Sequence, residues 1–455
     1  MGKYFGTDGF RGKAGEKLNS YHAFKIGRFL GWYYSKNHAD GTRARIIIGK
    51  DTRRSSYTLE NGLAAGITAS GADAYLMHVT TTPSVSFITR DEHFDCGIMV
   101  SASHNAFYDN GIKLINYDGE KMDDEVQEEI EKYLDSEKDY VPYASEDKIG
   151  KTEDFYFGRN RYIGFLSSMA VKSFENCRVA LDCSNGSAWM IARAVFDALG
   201  AKSRVINNTP NGLNINKDCG STHIESLQQF VVDNMLDVGF AFDGDADRCL
   251  AVDENGKVVN GDQIIYICAK YFKEHNMLPK NKVVVTIMSN MGLFNALDKE
   301  GIGYEKTKVG DRYVYENMKE NGFVVGGEQS GHIIFSQHAR TGDGILTAIM
   351  LMNVMIKTQL PLSILAKNCQ MLPQVLKNVE VDDKEATLND EKVIAAVNEC
   401  TEKLGKDGRV LLRASGTEPV LRVMSEAVED KMAEAQVDYI IGAMAQSGHL
   451  ITIRK

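Results

Sequence analysis

The sequence predicts an α/β protein: three similar mixed α/β domains with largely parallel sheets, then a smaller βαββα C-terminal domain. Three observations predict it. One strand–loop–helix layout occurs three times, each occurrence puts its most polar, glycine-rich stretch at the end of an apolar strand, and the rhythm changes after Pro373.

The first unit opens on Arg45-Ile46-Ile47-Ile48-Gly49, followed by KDTRRSS and a helical stretch. It continues through GADAYLMHV and TTPS to a third strand, CGIMV, that runs into SASHN. The second opens at Arg178-Val179-Ala180-Leu181 with DCSNGS, passes AKSRVI, and ends with DVGFAF running into DGDADR. The third opens at Lys282-Val283-Val284-Val285, passes GYEKTKVGDR, and ends with FVVGG running into EQSGH. Short, fully apolar strands alternating with helices indicate parallel units buried on both faces. Ligands of such sheets collect at the carboxyl ends of the strands. The tail reads as strand QVLKNVEV, helix NDEKVIAAVNECTEKLG, strand GRVLLR, turn ASGTEP, strand VLRVMSE and helix EDKMAEAQVDYIIGAMAQ. The expected domains are 1–155, 156–255, 256–370 and 371–455.

Composition bounds the function. At about 150 residues per domain, 455 residues suit three or four domains, and 43% apolar with 25% charged residues excludes wholesale disorder. A net charge of −10 argues against a nucleic-acid surface or a polybasic membrane contact. No segment approaches the roughly 18 apolar residues of a membrane span, and MGKYFGTDGFRG lacks the apolar core of a signal peptide. Eight scattered cysteines without a CxxC pair read as reduced thiols, hence a cytoplasmic protein.

The sharpest local signal is Asp243-Gly244-Asp245-Ala246-Asp247-Arg248. Three carboxylates at alternate positions supply hard oxygen ligands for Mg²⁺ or Ca²⁺. An EF-hand is excluded because its sixth position needs Gly and holds Arg248, and because the loop follows a strand. A solvated acidic turn is the plainer alternative; the arginine beside the carboxylates favours a metal that faces a phosphate. Ser101-Ala102-Ser103-His104-Asn105 lacks the GxSxG elbow of a hydrolase. A serine in such a turn is either structural or a phosphoryl carrier, since a phosphoserine completes a metal's oxygen shell. Lys113 is a solvated lysine or an anion partner. In Gly327-Glu328-Gln329-Ser330-Gly331-His332, Glu328 and Ser330 offer an acceptor and a donor for sugar hydroxyls, and His332 is a proton shuttle or a hydrogen-bonded surface residue. Arg413-Ala414-Ser415-Gly416-Thr417-Glu418-Pro419, with Arg422, forms a phosphate nest or a hairpin turn with incidental charges. The stretch Gly6 to Gly12 and the loop Gly49 to Ser56 are similar but weaker candidates, with Lys50, Arg53 and Arg54 either anion partners or simply surface charges. Neither a P-loop nor a GxGxxG fingerprint is present, so nothing points to ATP as phosphoryl source.

GTDGFRG, SASHN, DGDADR, GGEQSGH and RASGTEP, in that order along the whole chain, resemble the α-D-phosphohexomutases. GEQSGH followed by TGDG, and VVNGDQIIYICAKYF after the acidic loop, resemble the glucosamine branch more than the mannose/glucose branch. The resemblance implies an isomerase with four domains around a central active-site cleft, the fourth small. It implies reversible interconversion of glucosamine 6-phosphate and glucosamine 1-phosphate through a phosphoserine and a 1,6-bisphosphate, feeding UDP-N-acetylglucosamine synthesis. Phosphomannomutase/phosphoglucomutase chemistry and a non-catalytic sugar-phosphate sensor are the alternatives. Ser103 is implied as the carrier and, with Asp243, Asp245 and Asp247, as a ligand of one Mg²⁺. Glu328 and Ser330 would bind the sugar, and Arg413, Ser415, Gly416, Thr417 and Arg422 the phosphate that is not reacting. Lys113, His332 and Arg11 would assist proton transfer or stabilise charge, with His104 and Arg248 beside the phosphoserine. Hexosamine 1,6-bisphosphate is the implied activator and a homodimer the assembly the resemblance admits. One departure is Ala106, where the family usually has proline.

Overall fold

The structure is a computed structural model that describes residues 2–6, 8–38, 41–415 and 420–454. Its chain forms two compact units, Met1–Met288 with Gly301–Lys367, and Ser289–Glu300 with Asn368–Lys455.

The first sheet contains β1 (Phe5–Gly6), β2 (Gly9–Lys13), β3 (Arg45–Lys50), β4 (Asp73–Val79), β5 (Cys96–Val100), β6 (Asp109–Asn116) and β7 (Thr152–Asp154), in the order β1-β2-β6-β5-β3-β4-β7. The second contains β8 (Arg178–Asp182), β9 (Lys202–Ile206), β10 (Val238–Phe242), β11 (Cys249–Asp253) and β12 (Val258–Val259), in the order β12-β11-β10-β8-β9. The third contains β13 (Lys282–Thr286), β14 (Gly303–Thr307), β15 (Val325–Gly327) and β16 (Ile333–Phe335), in the order β14-β13-β15-β16.

One topology underlies all three. The first strand of each unit (β3, β8, β13) lies between the second (β4, β9, β14) and the third (β5, β10, β15), all parallel. A fourth strand (β6, β11, β16) then turns back antiparallel beside the third. The sheets are therefore mixed, with a parallel trio and antiparallel additions. The trio strands are apolar because helices cover both faces: Ile46 and Ile48 join one core, and Ile47 joins another on the opposite face. Asn19 and Asn260 start helices Ser20–Ser35 and Gly261–Glu274 with capping boxes, and Thr81 caps Thr82–Asp91, which has Pro83 in its first turn.

The C-terminal sheet, β17 (Gln374–Val381), β18 (Gly408–Ala414), β19 (Val420–Ala427) and β20 (Leu450–Arg454), is antiparallel in the order β18-β19-β17-β20. Its core includes Val379, Val393, Leu421, Val423, Val437 and Ile440. Beyond the βαββα expectation it has a short helix, Lys384–Asn389, and the edge strand β20. Residues 289–300 pack with this unit: Arg409 Nη2 donates to Ser289 O at 2.6 Å and Met291 N to Glu426 Oε2 at 2.9 Å. No described helix is long and apolar enough to cross a membrane. None of the eight cysteines forms a disulfide, and seven are buried.

Candidate active site

The polar loops of the three repeats occupy one position in the shared topology, between the third strand and the antiparallel fourth. They are Ser101–Tyr108 between β5 and β6, Asp243–Arg248 between β10 and β11, and Glu328–His332 between β15 and β16. In the first compact unit they bring distant residues into one cluster.

Ser103 is buried, and its φ of +50° is in the left-handed region that a side chain adopts only under constraint. Its Oγ donates to Asp243 Oδ2 at 2.5 Å and lies 3.3 Å from His104 Nδ1. Burial, then Arg248 and Arg11, push His104 down to about 4, so the imidazole beside the serine is neutral.

Asp243, Asp245 and Asp247 are buried, with a ligand atom of each within 4.8 Å of the others. Burial first, then repulsion from Asp247 and Asp245, raise Asp243 well above the ordinary carboxylate range. Burial acts on Asp247 too, but Lys113 and then His332 hold it well below that range. Lys113 Nζ donates to Asp245 Oδ2 at 2.7 Å and Asp247 Oδ2 at 3.1 Å, and lies 3.3 Å from Asp8 Oδ2. Despite burial, these carboxylates keep Lys113 charged. Arg11 pairs with Asp8 and reaches the cluster through it. Thr82 Oγ1 donates to Asp245 Oδ2 at 2.6 Å.

His332 has Asp311 Oδ2 at 3.3 Å from Nε2 and Asp247 Oδ1 at 3.7 Å from Nδ1. Gly342 N–H also points at Nε2, at 2.9 Å, which suits a neutral ring. Two carboxylates outweigh one backbone donor: against burial, Asp311 and then Asp247 raise His332 to about 9. Gly342 has to be glycine, since a Cβ there would lie 2.5 Å from the His332 ring.

The residues fit a hard divalent cation. Asp245 Oδ1 and Asp247 Oδ1 are buried without a hydrogen-bond partner, an arrangement that burial makes costly unless something coordinates them. Arg11 Nε and Arg248 Nε are buried donors without a hydrogen-bond partner, Arg248 Nε lying 3.9 Å from Asp247 Oδ1, which suits an anion next to the cation. Arg248 also anchors the loop through its N–H, 3.2 Å from Asp243 Oδ1.

Glu328 is half-buried and takes Gly310 N–H on Oε1 at 3.0 Å, while Ser330 is exposed. Arg413, Ser415 and Arg422 belong to the second compact unit. Arg413 and Arg422 are direct register partners across β18 and β19, and Ser415 N donates to Val420 O at 2.9 Å. Gly416 and Thr417 lie outside the described residues.

Several members of the cluster escape a reading of the sequence. Lys121 Nζ lies 3.3 Å from Asp8 Oδ1 and donates to Asp311 Oδ1 at 2.6 Å, extending the charge network to His332. Lys50 and Arg53, surface charges on one of their two readings, are buried; only Arg54 of that trio is exposed. Lys50 pairs with Glu60, and Arg53 Nε donates to Asp51 Oδ2 at 2.7 Å. The available signal was an acidic residue two positions before an arginine at the end of a buried strand.

Family profiles match nearly the whole chain: phosphoglucomutase/phosphomannomutase alpha/beta/alpha domain I over residues 2–141, domain II over 160–256, domain III over 260–371, and the C-terminal domain over 376–443. Phosphoglucosamine mutase of Lachnospira eligens is 61% identical over 451 residues, covering 99% of this chain and 100% of that one. Phosphoglucosamine mutase of Bacillus subtilis is 47% identical, covering 97% and 98%. Among solved structures, a Burkholderia thailandensis phosphoglucomutase/phosphomannomutase family protein superposes with a TM-score of 0.78 at 21% identity over 98% of each chain. Aspergillus fumigatus N-acetylphosphoglucosamine mutase, solved with GlcNAc-6P and magnesium, superposes at 0.71 and 18% identity over 98% of this chain and 96% of that one. These two likenesses show the fold.

Proposed function

The chain belongs to the phosphoglucomutase/phosphomannomutase family, and from that membership we infer that it is an isomerase interconverting glucosamine 6-phosphate and glucosamine 1-phosphate. The observation that carries the reading is the Ser103 hydroxyl 2.5 Å from a carboxylate of the buried Asp243–Asp245–Asp247 cluster, with cationic side chains around it.

In this reading Ser103 carries a phosphoryl group. The bond between phosphorus and Ser103 Oγ breaks as a bond to the sugar's free O1 forms, giving a 1,6-bisphosphate; the hexose turns over, and its 6-phosphoryl returns to Ser103. Phosphoryl transfer asks mainly for in-line positioning and neutralised charge. Asp243, Asp245, Asp247 and an oxygen on Ser103 would hold Mg²⁺, which supplies charge neutralisation when bound. Arg11 and Arg248 present Nε–H donors that make no hydrogen bond and would serve the oxygens of the transferred group. Lys113 and His332 are held charged: His332, at about 9, is suited to give a proton to an oxygen that a departing phosphoryl leaves behind, while Lys113, held well above its ordinary value, stabilises charge. Glu328 and Ser330 would orient the sugar hydroxyls, and the Arg413–Arg422 patch with Ser415, Gly416 and Thr417 would hold the phosphate that is not reacting. The domains of this enzyme would be 1–155, 156–255, 256–370 and 371–455, and its compartment the cytoplasm.

The test is a coupled assay of the purified protein with Mg²⁺, a trace of hexose 1,6-bisphosphate, and the glucosamine, mannose or glucose 6-phosphate in turn. The glucosamine compound should give the highest kcat/KM. Ser103→Ala should lower kcat more than about a thousandfold while leaving the fold intact; full turnover by that variant overturns the reading.

A further inference from the structure

Resting on the reading of Ser103 as the phosphoryl carrier, we propose that Arg53 and Asn216 are positioning residues that aim its Oγ by holding its main chain. The Ser103 carbonyl accepts two side-chain donors, Arg53 Nη2 at 2.9 Å and Asn216 Nδ2 at 2.8 Å. The same pair meets again on the Asn105 carbonyl, at 2.9 Å and 3.0 Å. Arg53 Nη1 donates to the carbonyls of Ala106 and of Asp109, the latter at 3.2 Å. Its Nε binds Asp51 Oδ2 at 2.7 Å, and that oxygen also takes the Ser101 hydroxyl at 2.8 Å. Ser101 Oγ in turn accepts the Ser103 N–H at 2.9 Å. Both polar groups of the Ser103 backbone are thus fixed by one buried ion pair and one amide.

That hold has a reason. A serine at φ +50° sits in a region that relaxes unless its surroundings fix it. None of these bonds reaches Oγ, so they act on its direction alone. Asn216 donates from the repeat that carries the acidic loop, with its own N–H on Ser184 O at 2.9 Å. It therefore ties the serine loop to the element that presents Asp243. Gly244 permits the approach: a Cβ there would lie 2.5 Å from the Ser103 carbonyl oxygen and 2.9 Å from Asn216 Nδ2.

A loosened Ser103 misplaces the reacting oxygen while leaving the sugar's contacts in place, and a misplacement of about 1 Å can cost about a hundredfold in rate. Asn216→Ala should therefore lower kcat by about tenfold or more, with KM for glucosamine 6-phosphate within about twofold of the parent. Asn216→Asp, which keeps the shape and replaces the N–H donors by acceptors, should fall at least as far, whereas a packing role would leave it near the parent. A smaller fall in Asn216→Ala, a KM that rises by the same factor, or a fully active Asn216→Asp overturns the proposal. Should Asn216→Ala not fold, Asn216→Ser is read against the same thresholds. Intact mass after incubation with hexose 1,6-bisphosphate separates this inference from its premise. A parent enzyme that never carries a phosphoryl on Ser103 takes both down; a phosphorylated parent beside an unaffected Asn216→Ala removes the positioning role alone.

Discussion

Arg413 and Arg422 stand directly opposite one another in the antiparallel pairing of β18 with β19. Opposed residues project from one face with Cβ atoms about 5 Å apart, and like charges so placed oppose the pairing. An anion between the two guanidiniums reverses that sign through charge-assisted hydrogen bonds. Arg422→Met should therefore raise KM for the sugar phosphate by about 10- to 100-fold, the loss of one or two such bonds. Steady-state kinetics measure it. Inorganic phosphate should also raise Tm more in the parent than in the variant, and unchanged KM and Tm response exclude a phosphate role for this patch.

Lys113 is the buried counter-charge of Asp245, Asp247 and Asp8. Removing one partner of a buried ion cluster typically costs about 3–5 kcal/mol, because the remaining charges stay in low dielectric. Lys113→Met should lower Tm when melted in EDTA. Adding Mg²⁺ should recover more stability in the variant than in the parent, because bound cation offsets repulsion that Lys113 relieves in the parent. Melting curves with and without the ion decide it, and an equal response in the two proteins contradicts the expectation.

Asp343 starts the helix Gly344–Thr358, accepting Leu346 N–H on Oδ1 at 2.9 Å and the Tyr162 hydroxyl on Oδ2 at 2.6 Å. Burial outweighs both bonds and raises its pKa to about 6. A folded pKa above the unfolded value means that the fold favours the protonated acid. The stability it contributes is full below about pH 4 and is lost as pH rises through about 6. Asp343→Asn removes the charge and keeps the cap on its amide oxygen, while its amide NH2 takes the place of Oδ2 and donates to the Tyr162 hydroxyl oxygen. It should match the parent near pH 4 and exceed it by roughly 1–3 kcal/mol near pH 8. Denaturant unfolding at the two pH values checks it; a variant less stable at the higher pH contradicts the burial argument.

How far the site could be read from the chain depends on where each contact lies in sequence. Asp243, Asp245 and Asp247 share one loop at the end of a buried strand, so their chemistry shows in six consecutive residues. The repeat is legible because a strand covered on both faces must be apolar where it is covered, as Ile46–Gly49 and VGFAF are. The fourth strand of each repeat is not, since β6 opens on Asp109-Asn110-Gly111, which has the composition of a turn. Lys121, Asp8 and Asp311 meet only after three distant segments fold together, and although Asp8 lies in the Gly6–Gly12 stretch, no local pattern marks the meeting. Arg53 and Arg54 are adjacent and alike in sequence, yet one is wholly buried under four carbonyls and the other exposed. β20 is a short edge strand, mostly exposed, which a two-residue apolar rhythm hardly distinguishes from a tail.

The cysteines give a test of the packing that does not involve the active site. Cys268 and Cys219 are pushed up to about 12 by burial, so their thiols carry no useful thiolate fraction at neutral pH. Cys96, Cys183 and Cys249 are raised by burial as well. Cys177 alone is half-buried, and burial followed by the nearby Asp237 raises it too. A thiol-specific chromogenic reagent at about pH 8 should therefore react slowly with Cys177 and, on the same timescale, with no other thiol of the native protein. Denaturation without reductant should release all eight. Fewer than eight would mean that a disulfide forms, and rapid titration of several thiols in the native state would mean that the sheets open far more readily than their buried strands imply.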